Sequence, residues 1–163
     1  MIGIKALAWN DEGGFALSPD AETPWMTRHM HATCLGEMRA PGLCGGHQAP
    51  DPNCNCGIHG MFCFGYLLEY LSHPNIDFFG HYRDRLFTAM LEASGKTIVD
   101  EFGWRAETAG IIGVTFSPDI AASLCKESVP GRAADFYEVP FLDPREMKGE
   151  LARQDENLLK DPL

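Results

Sequence analysis

The fold of this chain depends on two short stretches, which read HATC at residues 31–34 and GLCGGHQAPDPNCNCGIHG at residues 42–60. Together they supply three thiols and one imidazole, from Cys34, His47, Cys54 and Cys56. Zinc in structural sites is held in a closed tetrahedron by sulfur and nitrogen ligands of these two kinds. The residue types therefore predict one Zn²⁺ per chain, bound by these four side chains.

The spacing of the four candidate ligands is C-x₁₂-H-x₆-C-x-C, which differs from the usual C-x₂₋₄-C pair of zinc motifs. The alternative interpretation is a set of ordinary free thiols in a core. The setting favours ligands, because Cys54 and Cys56 lie in the polar stretch 51–57, where a hydrophobic thiol has little reason to be. Cys44, just before His47, is an alternative to Cys34 as the first ligand.

The segment 28–57 shows no sustained period of 2 or 3.6 residues, and glycine and proline are dense in it. A loop of this length without regular structure is uncommon in a compact domain unless something other than a hydrogen-bond ladder holds it. A bound metal would hold it.

The rest of the chain predicts a single small α+β domain with an antiparallel sheet, one buried helix and a zinc-bound loop. Residues 2–9 and 15–17 are predicted as a hairpin, with Trp25 as a core residue. The apolar segment 61–71 is interrupted only at Gly65 and Glu69 and is followed by Ser72, which predicts a helix with one narrow solvent stripe. Further elements are predicted as follows: a three-stranded meander over 86–116, a helix over 117–125 and an edge strand over 136–142.

The length of 163 residues favours one domain. We expect residues 1–142 to form the zinc-stabilised domain. Asp143 and Glu146 resemble a capping box, so residues 143–163 are predicted to be a charged C-terminal helix or tail, either solvated or partner-binding. Arg105 and Glu107 share a strand face, where an exposed ion pair is available.

The formal charge of −10, from 23 acidic and 13 basic residues, disfavours direct binding to nucleic acid and favours a protein partner with a basic surface. No apolar run approaches the ~18–20 residues that span a bilayer, and the N-terminus does not read as a signal peptide. We therefore expect no membrane association and a cytoplasmic location, where cysteines stay reduced.

The chain resembles an uncharacterised family of actinobacterial and phage proteins with the signature A-x-C … H-x-x-P … C-x-C-G-(I/F)-Y-A. The matching residues are 32–34, 47–50 and 54–58, and His59-Gly60 stand where the family has Tyr-Ala. The resemblance extends to Trp9, Leu17, Trp25 and the segments 103–107 and 136–140. It implies that Cys34 is the first ligand, and it implies a fold and a site but no activity. If the chain is phage-encoded, its location is the host cytoplasm.

Two functions follow as hypotheses. The first is a zinc-stabilised protein-binding module that docks on a host or partner protein. The alternative is a zinc-dependent hydrolase or deaminase-like enzyme, which needs a coordination position open to water and a nearby proton carrier. The HExxH, zinc-deaminase, G-x-S-x-G and phosphate-loop motifs are absent, so an enzyme is the less favoured hypothesis. His29, His31 and His59 are interpreted as surface histidines, and Cys63 and Cys125 as buried structural thiols.

Overall fold

The computed structural model describes residues 1–18, 23–34, 47–72, 85–116 and 128–160. In them a mostly antiparallel sheet is combined with helices, which confirms the predicted α+β class. The strands are β1 (Ile2–Asn10), β2 (Phe15–Ser18), β3 (Thr23–Trp25), β4 (His29–His31), β5 (Ile58–Met61), β6 (Leu86–Val99) and β7 (Gly103–Thr115). The helices are α1 (Phe64–Leu71), α2 (Ser128–Tyr137) and α3 (Pro144–Lys160).

Four of the strands pair in a closed ring. Strand β6 pairs with β1 on one side and with β7 on the other, and β5 pairs with β7 and returns to β1 where Ile4 lies opposite Met61. Strand β2 pairs with β1 as the predicted hairpin, β3 extends the sheet beyond β2 without having been predicted, and β4 pairs with β7 on the same edge as β5. The ring gives β1 and β7 neighbours on both edges.

Strand β1 is buried on both of its faces because its side chains alternate between two cores. Leu7 and Trp9 belong to one core with Trp104 and residues of α2. Ile4, Ala6 and Ala8 belong to the other, which α1 and α3 cover. Trp25 is 1% exposed in the first core, which confirms the prediction for this residue.

Helix α1 presents the predicted solvent stripe, since Gly65, Glu69 and Ser72 are exposed while Phe64 and Leu67 are buried. The helix begins at Phe64, later than predicted, because Met61 still belongs to β5. The prediction of Cys63 as a buried thiol is wrong: it is exposed at the N-cap position of α1. Cys125 lies outside the described residues.

The predicted three-stranded meander is wrong in its connections. Residues 86–99 form the single strand β6, and residues 103–115 form the single strand β7. Gly95 has a φ of 72°, and the register shifts between Ser94 and Thr97. The Ser-Gly pair therefore marks a bulge within a long strand, where a glycine suits the positive φ. The turn falls instead at Asp100, whose Oδ1 accepts hydrogen bonds from the backbone N–H groups of Phe102 and Gly103.

The edge strand predicted over 136–142 is also wrong at its start, because Phe136 and Tyr137 end helix α2. Pro130 lies in the first turn of this helix, where its missing N–H has no helical partner to lose. Phe141 retains a single parallel bridge to Val114. The helix predicted over 117–125 lies outside the described residues.

Tyr137 joins α2 to the sheet. Its hydroxyl donates to the Trp25 carbonyl at 2.6 Å and accepts from the Ala16 N–H at 3.0 Å. Burial raises the pKa of Tyr137 to about 12. The phenol therefore stays neutral and keeps both hydrogen bonds at ordinary pH.

The C-terminal segment begins with the predicted capping box. The Glu146 carboxylate accepts from the Asp143 N–H at 3.1 Å, and Asp143 Oδ1 accepts from the Arg145 N–H at 2.7 Å. Met147 and Leu151 are buried in the core that contains Ile4. The first turns of α3 therefore pack on the sheet.

None of the described helices combines the length and apolar character that crossing a bilayer requires.

Gly60 in β5 is required by the close approach of Trp104. A Cβ atom at Gly60 would overlap the Trp104 ring, which is 1% exposed and has no open space to move into. We expect Gly60→Ala to lower the free energy of unfolding by about 2 kcal/mol through overpacking. Gly149→Ala in α3, where a Cβ meets nothing within 4 Å, should instead raise it by about 0.5–1 kcal/mol through helix propensity. Chemical denaturation of the two variants measures both, and equal effects would contradict the packing of Trp104 on β5.

Candidate metal centre

The candidate ligands lie at the ends of two strands that share one edge of β7. Strand β4 pairs with residues 108–110 of β7, and β5 pairs with residues 103–106. The Ala32 N–H donates to the Glu107 carbonyl at 2.7 Å, and Ile58 lies opposite Ala106. The chain therefore leaves the sheet and returns to it at neighbouring positions of β7. Cys34 lies just after the exit and Cys56 just before the return.

The four predicted ligands come together. Their ligand atoms all lie within 4.8 Å of one another. Cys34 Sγ is 3.8 Å from Cys54 Sγ, and His47 Nε2 is 3.3 Å from Cys56 Sγ. Cys34 and Cys56 are buried, and His47 and Cys54 are half-buried. None of the three cysteines forms a disulfide. The group can hold a metal ion.

The distances within the group agree with tetrahedral coordination. Zinc–sulfur bonds of about 2.3 Å in a tetrahedron place two sulfurs about 3.8 Å apart, and a sulfur and a nitrogen about 3.6 Å apart. The sulfur–sulfur distance of 3.8 Å matches the first value, and the nitrogen–sulfur distance of 3.3 Å is close to the second. These two distances leave room for a metal ion between the four side chains.

The turn that carries two of the ligands is fixed by short-range bonds. Asp51 Oδ1 accepts from the Asn53 N–H at 2.8 Å, and the Asp51 carbonyl accepts from the Cys54 N–H at 3.1 Å. Gly57 follows with a φ of 122°. L side chains rarely adopt that conformation, so the glycine directly after Cys56 is needed to lead the chain into β5.

Arg105 fastens this turn to the sheet. Its Nη1 donates to the backbone carbonyls of Asp51 at 3.3 Å and Cys56 at 3.2 Å, and also to that of Cys54. The predicted ion pair with Glu107 is not formed in the described structure, where the Glu107 carboxylate accepts instead from the Gln48 side chain and the Lys96 N–H. Arg105 and Glu107 therefore both hold parts of the ligand-bearing loop, the first through the turn at 51–56 and the second through Gln48.

Burial, together with the neighbouring Cys54 and Cys34 sulfurs, raises the pKa of the Cys56 thiol to about 11. Three adjacent thiolates repel one another and are poorly solvated at this position. A divalent cation removes this penalty, because metal coordination deprotonates a thiol outright. The donor set therefore fits a thiophilic cation such as Zn²⁺.

The remaining candidates lie outside the ligand group. His29 and His31 are exposed on β4, as predicted. His59 Nε2 lies 3.3 Å from the Asn55 carbonyl and is not part of the ligand group. Cys44, the alternative first ligand, lies outside the described residues. The sequence interpretation missed the role of Arg105, for which the only signal was its place in the segment 103–107.

No family model, curated protein or solved structure matches this chain. The resemblance to an actinobacterial and phage family therefore stays a prediction.

Proposed function

We propose that this protein is a zinc-stabilised protein-binding module that acts in the cytoplasm. The observation that supports zinc is the Cys₃His group, whose ligand atoms lie within 4.8 Å of one another. Four protein ligands complete a tetrahedral zinc and leave no position for a reactive water. Three thiolates also make the metal a poor Lewis acid, which disfavours the hydrolase or deaminase alternative.

The tip of the β6–β7 hairpin supports a docking role. Val99 is 46% exposed and Phe102 is 52% exposed, and the acidic residues Asp100 and Glu101 lie between them. The Phe102 ring packs edge-on against Tyr66, with centroids 5.1 Å apart. An exposed aromatic anchor that is already held in place and flanked by acids fits a partner protein with an apolar pocket rimmed by basic side chains.

Elemental analysis of protein purified without added metal tests the zinc part of the proposal. We expect close to one zinc per chain. A ratio near zero in reduced, folded protein would contradict it.

Phe102→Ser tests the docking part. Proteins captured by the unchanged protein would be purified, and their binding to Phe102→Ser and to Met26→Ser would be compared. Met26→Ser is the matched control, since Met26 is 58% exposed at another site. We expect Phe102→Ser alone to weaken binding by at least about tenfold, as loss of an aromatic anchor does, and added salt to weaken binding of the unchanged protein. A partner that binds both variants equally would contradict docking at this tip.

If the resemblance to the phage family holds, the partner is a host protein.

A further inference from the structure

The three cysteines of the ligand group differ in their access to solvent. Cys34 is 5% exposed and Cys56 is 8% exposed, whereas Cys54 is half-buried. Oxidation of a cysteine begins at a thiolate that the oxidant can reach, and a bound metal keeps its cysteine ligands in the thiolate form. Cys54 is therefore the position in the group to which a small oxidant in solution has the best access.

Cys34 is placed to complete the oxidation of Cys54. The two Sγ atoms are 3.8 Å apart, close to van der Waals contact, although the residues are 20 positions apart in the chain. Cys34 follows strand β4, and Cys54 lies in the turn that precedes β5. Because neither residue belongs to a strand, a bond between the two sulfurs does not interrupt the sheet.

Cys56 is a poorer partner for Cys54. The two residues lie two positions apart, and Arg105 donates to the backbone carbonyls of both, which holds the turn in place. Disulfide geometry is specific, so a bond between such close neighbours would distort this turn. The Sγ atom of Cys56 lies instead 3.3 Å from His47 Nε2. The geometry favours Cys34 as the partner of Cys54.

We propose that peroxide oxidises the ligand group to a Cys34–Cys54 disulfide and thereby releases the metal, an inference that rests on the zinc site of the proposed function. The Cys54 thiolate attacks one oxygen of hydrogen peroxide, the O–O bond breaks, and the hydroxide that leaves takes up a proton to form water. The Cys34 thiolate then attacks the sulfur of this sulfenic acid, the S–S bond forms, the S–O bond breaks, and the second hydroxide also leaves as water. The two thiolates together lose two electrons, which reduce the peroxide.

The metal leaves because the disulfide removes two of its four ligands. Cys56 and His47 remain, and two ligands do not complete a tetrahedral zinc site. The disulfide now links the chain after β4 to the turn before β5, and a cross-link of this kind restricts the unfolded state. The oxidised chain therefore stays folded, and reduction in the presence of zinc restores the site. The ligand group then serves as a reversible sensor of peroxide.

Treatment of the purified, zinc-loaded protein with hydrogen peroxide tests this. Zinc is measured before treatment, and its release is followed with a metal-binding dye. The remaining thiols are then alkylated, and the disulfide-linked peptides are mapped by mass spectrometry without reduction. We expect zinc to fall from about one per chain to near zero, the peptides that contain Cys34 and Cys54 to be linked, and Cys56 to be alkylated. Dithiothreitol and then zinc should restore the metal content.

Three variants separate this pair from the other thiols. Cys63→Ser removes an exposed thiol outside the ligand group, and Cys44→Ser removes a cysteine outside the described residues. Both should release zinc and form the same disulfide as the unchanged protein. Cys34→His keeps four nitrogen and sulfur ligands but removes the second thiol, so a sulfenic acid should accumulate at Cys54, where dimedone traps it. If Cys34→His does not fold, the peptide map of the unchanged protein decides.

Zinc that stays bound in excess peroxide would overturn the proposal and leave the zinc site itself intact. So would a disulfide from Cys54 to Cys44 or to Cys56, or the loss of zinc release in Cys63→Ser. A protein that holds no zinc before treatment would contradict the proposed function and, with it, the release of metal.

Discussion

Replacing Cys56 with serine is expected to abolish stoichiometric metal binding and to lower the free energy of unfolding by about 3–5 kcal/mol. Cys56 is 8% exposed and closes the ligand group directly before the chain re-enters the sheet. A serine hydroxyl does not ionise at neutral pH and does not replace a thiolate ligand. The metal content and the denaturation midpoint of the variant measure the two effects.

Two further variants separate metal loss from lost packing. Cys54→Ser should have nearly the same effect although Cys54 is only half-buried, because both variants remove one ligand. Cys63→Ser changes an exposed thiol outside the group and places a favoured capping residue at the N-cap of α1, so it should retain metal and raise the free energy of unfolding by about 0.5–1 kcal/mol.

Removing the metal with a chelator provides the second perturbation, to be combined with each variant. It should destabilise the unchanged protein and Cys63→Ser, and should have little further effect on Cys56→Ser, because coupled losses are not additive. If Cys56→Ser and Cys63→Ser melt alike and both retain metal, the ligand assignment is wrong.

Replacing Arg105 with methionine has the second largest expected effect. Its guanidinium serves three backbone carbonyls of the ligand turn, those of Asp51, Cys54 and Cys56. Methionine keeps much of the length and removes every donor. We expect about 10- to 100-fold weaker metal binding, as for other groups that orient ligands. The free energy of unfolding should fall by about 3 kcal/mol, because hydrogen bonds to charged groups contribute about 1.5–3 kcal/mol each and this side chain is only partly buried.

Arg28→Met is the matched control. Arg28 is likewise an arginine that donates to the backbone, here to the Ile111 carbonyl of β7 at 2.8 Å, and none of its described hydrogen bonds reaches the ligand turn. Competition with a metal-binding dye measures the affinity of both variants. Arg105→Lys should fall between the unchanged protein and Arg105→Met, because an ammonium keeps the charge but lacks the planar fork. Equal metal affinity of Arg105→Met and Arg28→Met would show that the turn is held without Arg105.

The ligand group was predictable because it follows from residue chemistry alone. Thiols in a polar turn and a long segment without periodicity both indicated a metal before any contact was known. The solvent stripe of α1 and the capping box of α3 were predictable for a similar reason, since both depend on residues within one or two helical turns.

The features that were predicted wrongly or missed depend on residues that are distant in the sequence. Arg105 reaches carbonyls that are about fifty positions away in the chain, and only the pairing of β5 with β7 brings them within reach. Ser94 and Gly95 suit a turn and a bulge equally well locally, and the partner strand decides between them. Phe136 and Tyr137 suit a strand by propensity, but packing of α2 on the sheet, with Tyr137 bonded to Trp25, overrides that preference.

Strand β4 ends and β5 begins at neighbouring positions along β7, and this has a consequence for the evolution of the chain. Ala32 and Ile58 are aligned with Glu107 and Ala106, so β4 and β5 occupy the sheet as one interrupted strand. The segment between Cys34 and His47 is fastened at both ends by the proposed metal ligands. The registers of β4 and β5 on β7 are set by residues outside this segment, and each doubling of its length adds only about 0.6 kcal/mol of loop-closure cost. Insertions and deletions in homologues should therefore concentrate there, while the spacing from Cys54 to Gly57 stays fixed.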